Sequence, residues 1–331
     1  MSMWYLVAIN AVLSAALCGL YLVFARRMQV VDTPDHRSSH SLPTPHGAGV
    51  ALIGAFALCT LLAITAGALP GMPWLPLLGA ALVLAATGIA DDLYDLDLRW
   101  RLAVYVLVCA ATPLWLVVGV GGVAGSAAWL FACAGAVGLV VLLNFYNFMD
   151  GIDGIAASQA VLACAGAAVL AILSGEDQVY ALVCALLAAS HAGFLAWNWP
   201  PARLFMGDAG SVPTGYLLGA LALVGQATGQ VGVAPWLVLL GVFIVDAGWT
   251  LAWRMFTGQP FTQPHRQHAY QRLSRHWQSH RRVDIAVIAV NVLWLFPLAW
   301  VTHKNPSHAL FLVILAYLPL VTFMAKIRRL H

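Results

Sequence analysis

The chain has 331 residues, of which 62% are hydrophobic and 9% charged, and its mean hydropathy is +0.85. A soluble domain carries about 25% charged residues, so a soluble fold is excluded and an integral membrane protein of many spans is expected. The net charge of +3 is too small to argue for a nucleic-acid partner.

At about 20 residues per helical crossing, the length suits one polytopic bundle over residues 1–331, with no separate soluble domain. The first segment lacks a basic start and runs into Arg26 and Arg27, so no cleavable signal peptide is expected. Eleven apolar segments read as spans: 4–24, 48–68, 74–90, 102–120, 127–145, 155–173, 179–197, 212–227, 233–253, 283–301 and 309–325. Cys18, Cys59, Cys109, Cys133, Cys164 and Cys184 fall singly inside apolar runs, without a CxxC spacing. They read as small buried residues rather than disulfides or metal ligands.

The turns between alternate spans are short, and the remaining connections are longer and polar. Of sixteen Lys and Arg residues, fifteen lie in the polar set and only Lys304 in the other. The positive-inside rule then places the polar set in the cytoplasm, the N-terminus outside and the C-terminus inside. Eleven of thirteen acids fall on that same side, all but Glu176 and Asp177. The longest loop, 254–282, interleaves Arg, His and Gln with Leu273 and Trp277, and part of it suits an interfacial helix.

The acids are clustered where spans end. A charge in hydrocarbon is costly, so an acid placed there marks a candidate site. Asp91 and Asp92 open DDLYD. Close carboxylates can bind Mg²⁺ together with substrate phosphates, or one can have a raised pKa and act as a base. In NFYNFMDGIDG, Asn144, Asn147, Asp150 and Asp153 step by three along one side of a helix end, and Gly151 and Gly154 permit a tight turn. Amides beside carboxylates suit a site that holds a metal and reads a polar heterocycle. In WNWPPARLFMGDAGS, Asn198 precedes Asp208 by ten residues, and paired prolines stiffen the turn.

Basic partners come from two loops. Arg37 and His40 lie in DTPDHRSSH, and Arg266 and His268 lie in PHRQHAYQR. Arginine grips phosphates with a planar fork, and histidine donates near neutral pH. His191, inside an apolar run, reads as a satisfied buried histidine, and Asn10 and Asn291 read as interhelical hydrogen-bond glue. Asp246, near the inner end of its span, should face the bundle or a cavity; whether it touches the site is left open.

Taken in order, these motifs resemble the polyprenyl-phosphate N-acetylhexosamine-1-phosphate transferases, glycosyltransferase family 4, which includes the phospho-muramoyl-pentapeptide transferases. The resemblance runs from Asp32 to about Gln271. DDLYDLDLRWR resembles the family's DDxxD loop, NFYNFMDGIDGIA its NxxNxxDGxDGLA, and NWPPARLFMGDAGS its NxxPAxxFMGDxGS. The family's last loop reads PDRxHxHH, whereas this chain reads PHRQHAYQ: Tyr270 and Gln271 stand where many members have paired histidines.

The resemblance implies an all-α membrane bundle with a cytoplasmic active site in a bacterial inner membrane. It implies transfer of a sugar 1-phosphate from a UDP-N-acetylhexosamine to undecaprenyl phosphate, as in the first step of O-antigen or lipopolysaccharide assembly. Asp208 and Asn147 would hold Mg²⁺, for which Mn²⁺ can substitute. Asp91 would deprotonate or position the lipid phosphate, supported by Asp92. Asp153 and the backbone near Gly151 would sit at the uridine, within a substrate-binding set that also takes in Asn144, Asp150 and Asn198. Arg37, His40, Arg101, Arg266 and His268 would handle phosphates and sugar. A homodimer is left open as a further partner. Tyr270 and Gln271 offer a ring face and an amide, which suits a 6-deoxy donor such as N-acetylfucosamine or N-acetylquinovosamine alongside N-acetylglucosamine.

Two other classes compete. An intramembrane prenyltransferase uses aspartate-rich loops and Mg²⁺, but its NDxxDxxxD pattern is absent here. A lipid carrier or transporter would place acids at mid-span.

Overall fold

The computed structural model describes residues 4–32, 43–120, 125–175, 178–260 and 265–327. Apolar runs long enough to cross a bilayer must satisfy their backbone internally, and here they do so as helices. In chain order these are α1 (Tyr5–Arg27), α2 (Gly49–Thr65), α3 (Trp74–Tyr94), α4 (Leu98–Val120), α5 (Ser126–Met149), α6 (Ile155–Leu173) and α7 (Gln178–Asn198). They continue with α8 (Asp208–Thr228), α9 (Val233–Leu239), α10 (Gly241–Phe256), α11 (Ala269–Trp277), α12 (His280–Val290), α13 (Phe296–Lys304) and α14 (Ala309–Ile327). A π-helical turn, Asn291–Leu295, joins α12 to α13. Among the described residues the sole strand pairing is two residues long: β1 (Val31–Asp32) runs antiparallel to β2 (Thr44–Pro45). The chain is an all-α polytopic membrane protein.

Among the described residues eight helices, with α12 and α13 counted as one, are long and apolar enough to cross a membrane, and a bent pair brings the count up to nine. All eleven expected segments are helical, but three differ from ordinary spans. Helix α2 has only 17 residues. In α8, every residue except Asp208, Gln226 and Thr228 is buried. The bent pair is the segment read as one span over 233–253. It breaks at Leu240, where α9 and α10 meet at 78°. The break frees backbone carbonyls, and side chains of neighbouring helices satisfy them: Gln159 Nε2 donates to the Leu239 carbonyl at 2.9 Å and the Tyr317 hydroxyl to that of Leu237 at 2.8 Å.

Alanine- and glycine-rich α6, α7 and α8 form the interior, with α1 packed on α7 and both α3 and α5 on α8. The outer helices turn large apolar side chains outward, among them Leu107, Val118, Trp129 and Leu310, as a lipid-facing surface requires. Several interior polar residues are paired across helices. Asn10 Nδ2 donates to the Leu186 carbonyl at 2.7 Å, and Asn291 Nδ2 to Gln159 Oε1 at 3.0 Å. His191 lies between the Leu187 carbonyl and Thr214 Oγ1, both at 2.9 Å. The cysteines are free, and all are buried except Cys133, which faces outward. Within 254–282 the chain forms the short helix α11, which buries Ala269, Tyr270 and Leu273 and leaves Arg275 exposed.

Candidate active site

The site begins with a close crossing of backbones. The start of α8 lies on α3 one turn before Asp91 and Asp92, and only glycine permits it. A Cβ on Gly88 would stand 2.5 Å from the Ala209 nitrogen and 2.6 Å from the Asp208 oxygen. A Cβ on Gly49 would stand 2.0 Å from the Gly210 nitrogen. The loops before α2 and α8 are bonded together: Ala48 N donates to the Phe205 carbonyl at 3.0 Å, Gly49 N to that of Met206 at 2.8 Å, and Phe205 N to that of Pro45 at 2.8 Å. The PTPHGAG and ARLFMGD segments therefore position Asp208 as one unit.

Asp91, Asp92 and Asp208 converge here, as the sequence leads one to expect. Arg101, at the start of α4, donates through Nη1 to Asp91 Oδ2, and the same nitrogen lies 3.4 Å from Asp208 Oδ2. Asp92 accepts from the backbone amides of Asp208 and Ala209. The Ser211 hydroxyl donates to Asn147 Oδ1 at 2.9 Å, and Asn147 in turn bonds to the Asp208 carboxylate. Two carboxylates thus share one guanidinium, and the third, Asp92, lies close enough to both to repel them, a field that favours cations. Among the described residues no three His, Cys, Asp or Glu side chains form a ligand set for a metal by themselves. Asp208 with Asn147 beside it offers hard oxygen donors, which fits Mg²⁺, an ion that completes its shell with phosphate and water.

The DGIDG turn forms the next wall. Asp150 follows α5 directly; burial, with the Asp208 carboxylate adding to it, pushes its carboxyl up to about 7. Asp153 and Asn198, expected to bind substrate, are both engaged with the protein's own backbone. Asp153 Oδ2 accepts from the Ala202 amide at 3.0 Å, and its Oδ1 lies 3.2 Å from His280 Nδ1. Asn198 Oδ1 accepts from the Gly154 amide at 2.9 Å while its Nδ2 donates to the Leu204 carbonyl at 3.0 Å. Both residues strap the turn to the 199–204 loop, because the backbone amides at the start of α6 and of this loop need acceptors. Asn144 donates to the Val140 carbonyl of its own helix at 2.7 Å, so its amide nitrogen is engaged away from the acids.

The last loop is held by Asp246. Its Oδ1 accepts from the Ala269 amide at 3.0 Å and lies 3.2 Å from His268 Nδ1, and its Oδ2 accepts from the Tyr270 amide at 3.1 Å. Asp246 therefore caps α11. His268 is buried against it rather than open to a phosphate. Tyr270 corrects the expectation of a ring face offered to a sugar. It is 3% exposed, its hydroxyl donates to the Phe148 carbonyl at 3.0 Å, and a Cβ on Gly151 would stand 2.1 Å from its oxygen. Gln271 is buried as well. Glycine at 151 thus admits a tyrosine, where the sequence suggested close approach to a ligand. His265 is stacked on His268, and burial, with His268 and Arg254 nearby, brings its imidazole down to about 4. Arg266 does face open space: with Asp153, Arg275, His280 and Arg281 it lines a polar cavity of about 570 Å³. Arg37 and His40 lie outside the described residues.

Sequence reasoning missed Gly88, Tyr105 and His280. Tyr105 stands four residues after Arg101, a spacing that puts both on one helix face. Gly88 had no signal beyond its place one turn before Asp91, and His280 lies far from its partner along the chain.

Residues 74–226 match the model of glycosyl transferase family 4. The chain is 32% identical to a putative glycosyltransferase of Streptomyces coelicolor over 266 residues, which cover 80% of this chain and 61% of that protein. It is 25% identical over 311 residues to a probable undecaprenyl-phosphate N-acetylglucosaminyl 1-phosphate transferase of Bacillus subtilis, covering 86% of this chain and 80% of that one. It is 27% identical over 335 residues to a decaprenyl-phosphate N-acetylglucosaminephosphotransferase of Mycobacterium leprae, covering 90% and 83%. The matched region contains Asp91, Asp92, Arg101, Asn147 and Asp208, and over it the chain is similar to glycosyl transferase family 4.

Proposed function

We propose that the protein transfers an N-acetylhexosamine 1-phosphate from a UDP-sugar to undecaprenyl phosphate at the cytoplasmic face of a bacterial inner membrane, as the first lipid-linked step of a surface polysaccharide. The observation that carries this reading is the convergence of Asp91, Asp92 and Asp208, with Arg101 shared between Asp91 and Asp208. The names of the Bacillus and Mycobacterium relatives support it.

In this reaction an oxygen of the lipid phosphate bonds to the β-phosphorus of the donor. The bond from that phosphorus to the bridging oxygen breaks, and UMP leaves with the electron pair. Both substrates are anions, so their approach must be offset by positive charge. Asp208 and Asn147 would hold Mg²⁺, whose chemistry here is to neutralise the diphosphate and polarise the attacked phosphorus. Arg101, already shared between Asp91 and Asp208, supplies a fixed cation at the same place. Asp91 orients the lipid phosphate or takes its proton, and Asp92, held by the amides of α8, keeps the second carboxylate in register. Arg266 offers a guanidinium to the donor from the neighbouring cavity.

The test is purified protein incubated with undecaprenyl phosphate and a panel of UDP-N-acetylhexosamines, followed by UMP release and mass of the lipid product. UMP formed with at least one donor, only when the lipid phosphate is present, is the expected result. No UMP from any donor overturns the reading. A reporter fused after residue 331 should be active only as a cytoplasmic reporter; a periplasmic signal would place the acid cluster on the wrong side for a UDP-sugar.

A further inference from the structure

Tyr105 is 4% exposed, and its hydroxyl has no hydrogen-bond partner. A buried hydroxyl without a partner is costly, and native proteins keep few of them. Its position explains what it faces. Helix α4 runs along α8, and two contacts fix the register: Arg101 reaches Asp208 at 3.4 Å, and the Thr112 hydroxyl meets that of Tyr216 at 2.8 Å. Residues 101, 105 and 112 share one stripe of α4, so Tyr105 lies between those contacts, facing the first turns of α8. The charged groups within electrostatic reach of its hydroxyl are Asp208, Arg101, Asp91 and Asp92.

We infer that Tyr105 is a further residue of the reaction centre, whose hydroxyl donates a hydrogen bond to a phosphoryl oxygen that the substrate brings to Asp208. This rests on the proposed phosphotransfer. The partner missing from the protein is supplied by the ligand. A phenol suits the place, because it donates without adding a charge to a buried wall already holding three acids. The Arg101–Tyr105 pair then presents one charged and one neutral donor to the same diphosphate, the neutral one from below.

Tyr105→Phe removes only the hydroxyl and keeps the ring that packs α4 on α8, so it separates the two roles. The full-length protein in nanodiscs is measured in three ways. Thermal stability without ligand should match or exceed that of wild type, since the hydroxyl removed has no protein partner. The rise in melting temperature on adding Mg²⁺ with inorganic pyrophosphate should shrink relative to wild type. Turnover at saturating substrates should fall about 10- to 100-fold, the usual range for losing a hydrogen bond to a charged group. The inference is overturned if the unliganded variant melts clearly lower, which would mean that the hydroxyl bonds within the protein. It is equally overturned if pyrophosphate stabilises the variant as much as wild type, or stabilises neither. A wild-type protein that binds Mg²⁺–pyrophosphate yet transfers no sugar phosphate refutes the proposed function instead, and leaves Tyr105 tested by the binding arm.

Discussion

Asp246 and Tyr270, 24 residues apart, are joined by a hydrogen bond from the Tyr270 amide to Asp246 Oδ2 at 3.1 Å. With the Ala269 amide and His268 Nδ1 on the other oxygen, this carboxylate sets where the last loop begins its helix. Asp246→Ala should therefore lower stability by about 1–2 kcal/mol, the cost of losing a helix cap, and should release His268. Asp246→Asn keeps one acceptor and should fall between. Melting curves of the three proteins check the order; equal curves would remove the cap.

Gly88→Ala is expected to damage the site from a distance. The new methyl group would meet the Asp208 and Ala209 backbone at 2.5–2.6 Å, so α8 must shift. Overpacking of this kind costs about 1–3 kcal/mol, and a displacement near 1 Å at the chemistry costs about 10²-fold in rate. The variant should fold and insert with its turnover reduced on that scale. Wild-type turnover would mean that Asp208 need not sit on α3.

The acid cluster divides its labour. Asp208→Ala should abolish Mg²⁺-dependent turnover, because the carboxylate that Asn147 and Arg101 orient is gone. Asp91→Asn should cut kcat by about 10²–10⁴, the range for a lost general base, with donor binding largely kept. Titration of Mg²⁺ against rate, and donor binding by calorimetry, separate the two. Near-normal kcat in Asp91→Asn would leave Asp92 or the phosphate dianion as the base.

Asp150 makes stability depend on pH. Its folded carboxyl lies at about 7, above the ordinary 3.8, because burial and Asp208 both disfavour the charge. The folded state then binds this proton more tightly than the unfolded one. The contribution is complete below about 3.8, declines as pH rises, and is lost above 7. Asp150→Asn removes the titration. The melting temperature of wild type relative to the variant should therefore be higher at pH 5 than at pH 8, without added Mg²⁺. Parallel curves would show that this carboxyl ionises normally.

Donor choice should not reside in Tyr270 and Gln271, since both are buried and Tyr270 is spent on Gly151 and the Phe148 carbonyl. Tyr270→His/Gln271→His should leave the ratio of competing UDP-sugars unchanged while lowering stability. A changed ratio would return selectivity to this loop.

Much of the architecture was legible in the amino-acid sequence. A charged fraction of 9% and runs near 20 apolar residues dictate a helical membrane bundle, because hydrocarbon leaves the backbone no other partner. Acids at span ends announce Asp91, Asp92 and Asp208, because the cost of charge in a membrane makes each one informative. Three-dimensional packing decided the rest. The kink at Leu240 depends on Gln159 and Tyr317, which lie on other helices. The inward turn of Asp153 depends on the Ala202 amide, 49 residues on, and that of Asn198 on the Gly154 amide, 44 residues back. The burial of Tyr270 on Gly151, more than 100 residues apart, and the placing of Asp208 by Gly88 and Gly49 likewise arise only when helices meet. Local pattern reports which face of a helix is apolar and where a charge must leave the membrane. It does not report which distant backbone a side chain will satisfy, and that pairing separates the residues that face a substrate from those that hold the site in shape.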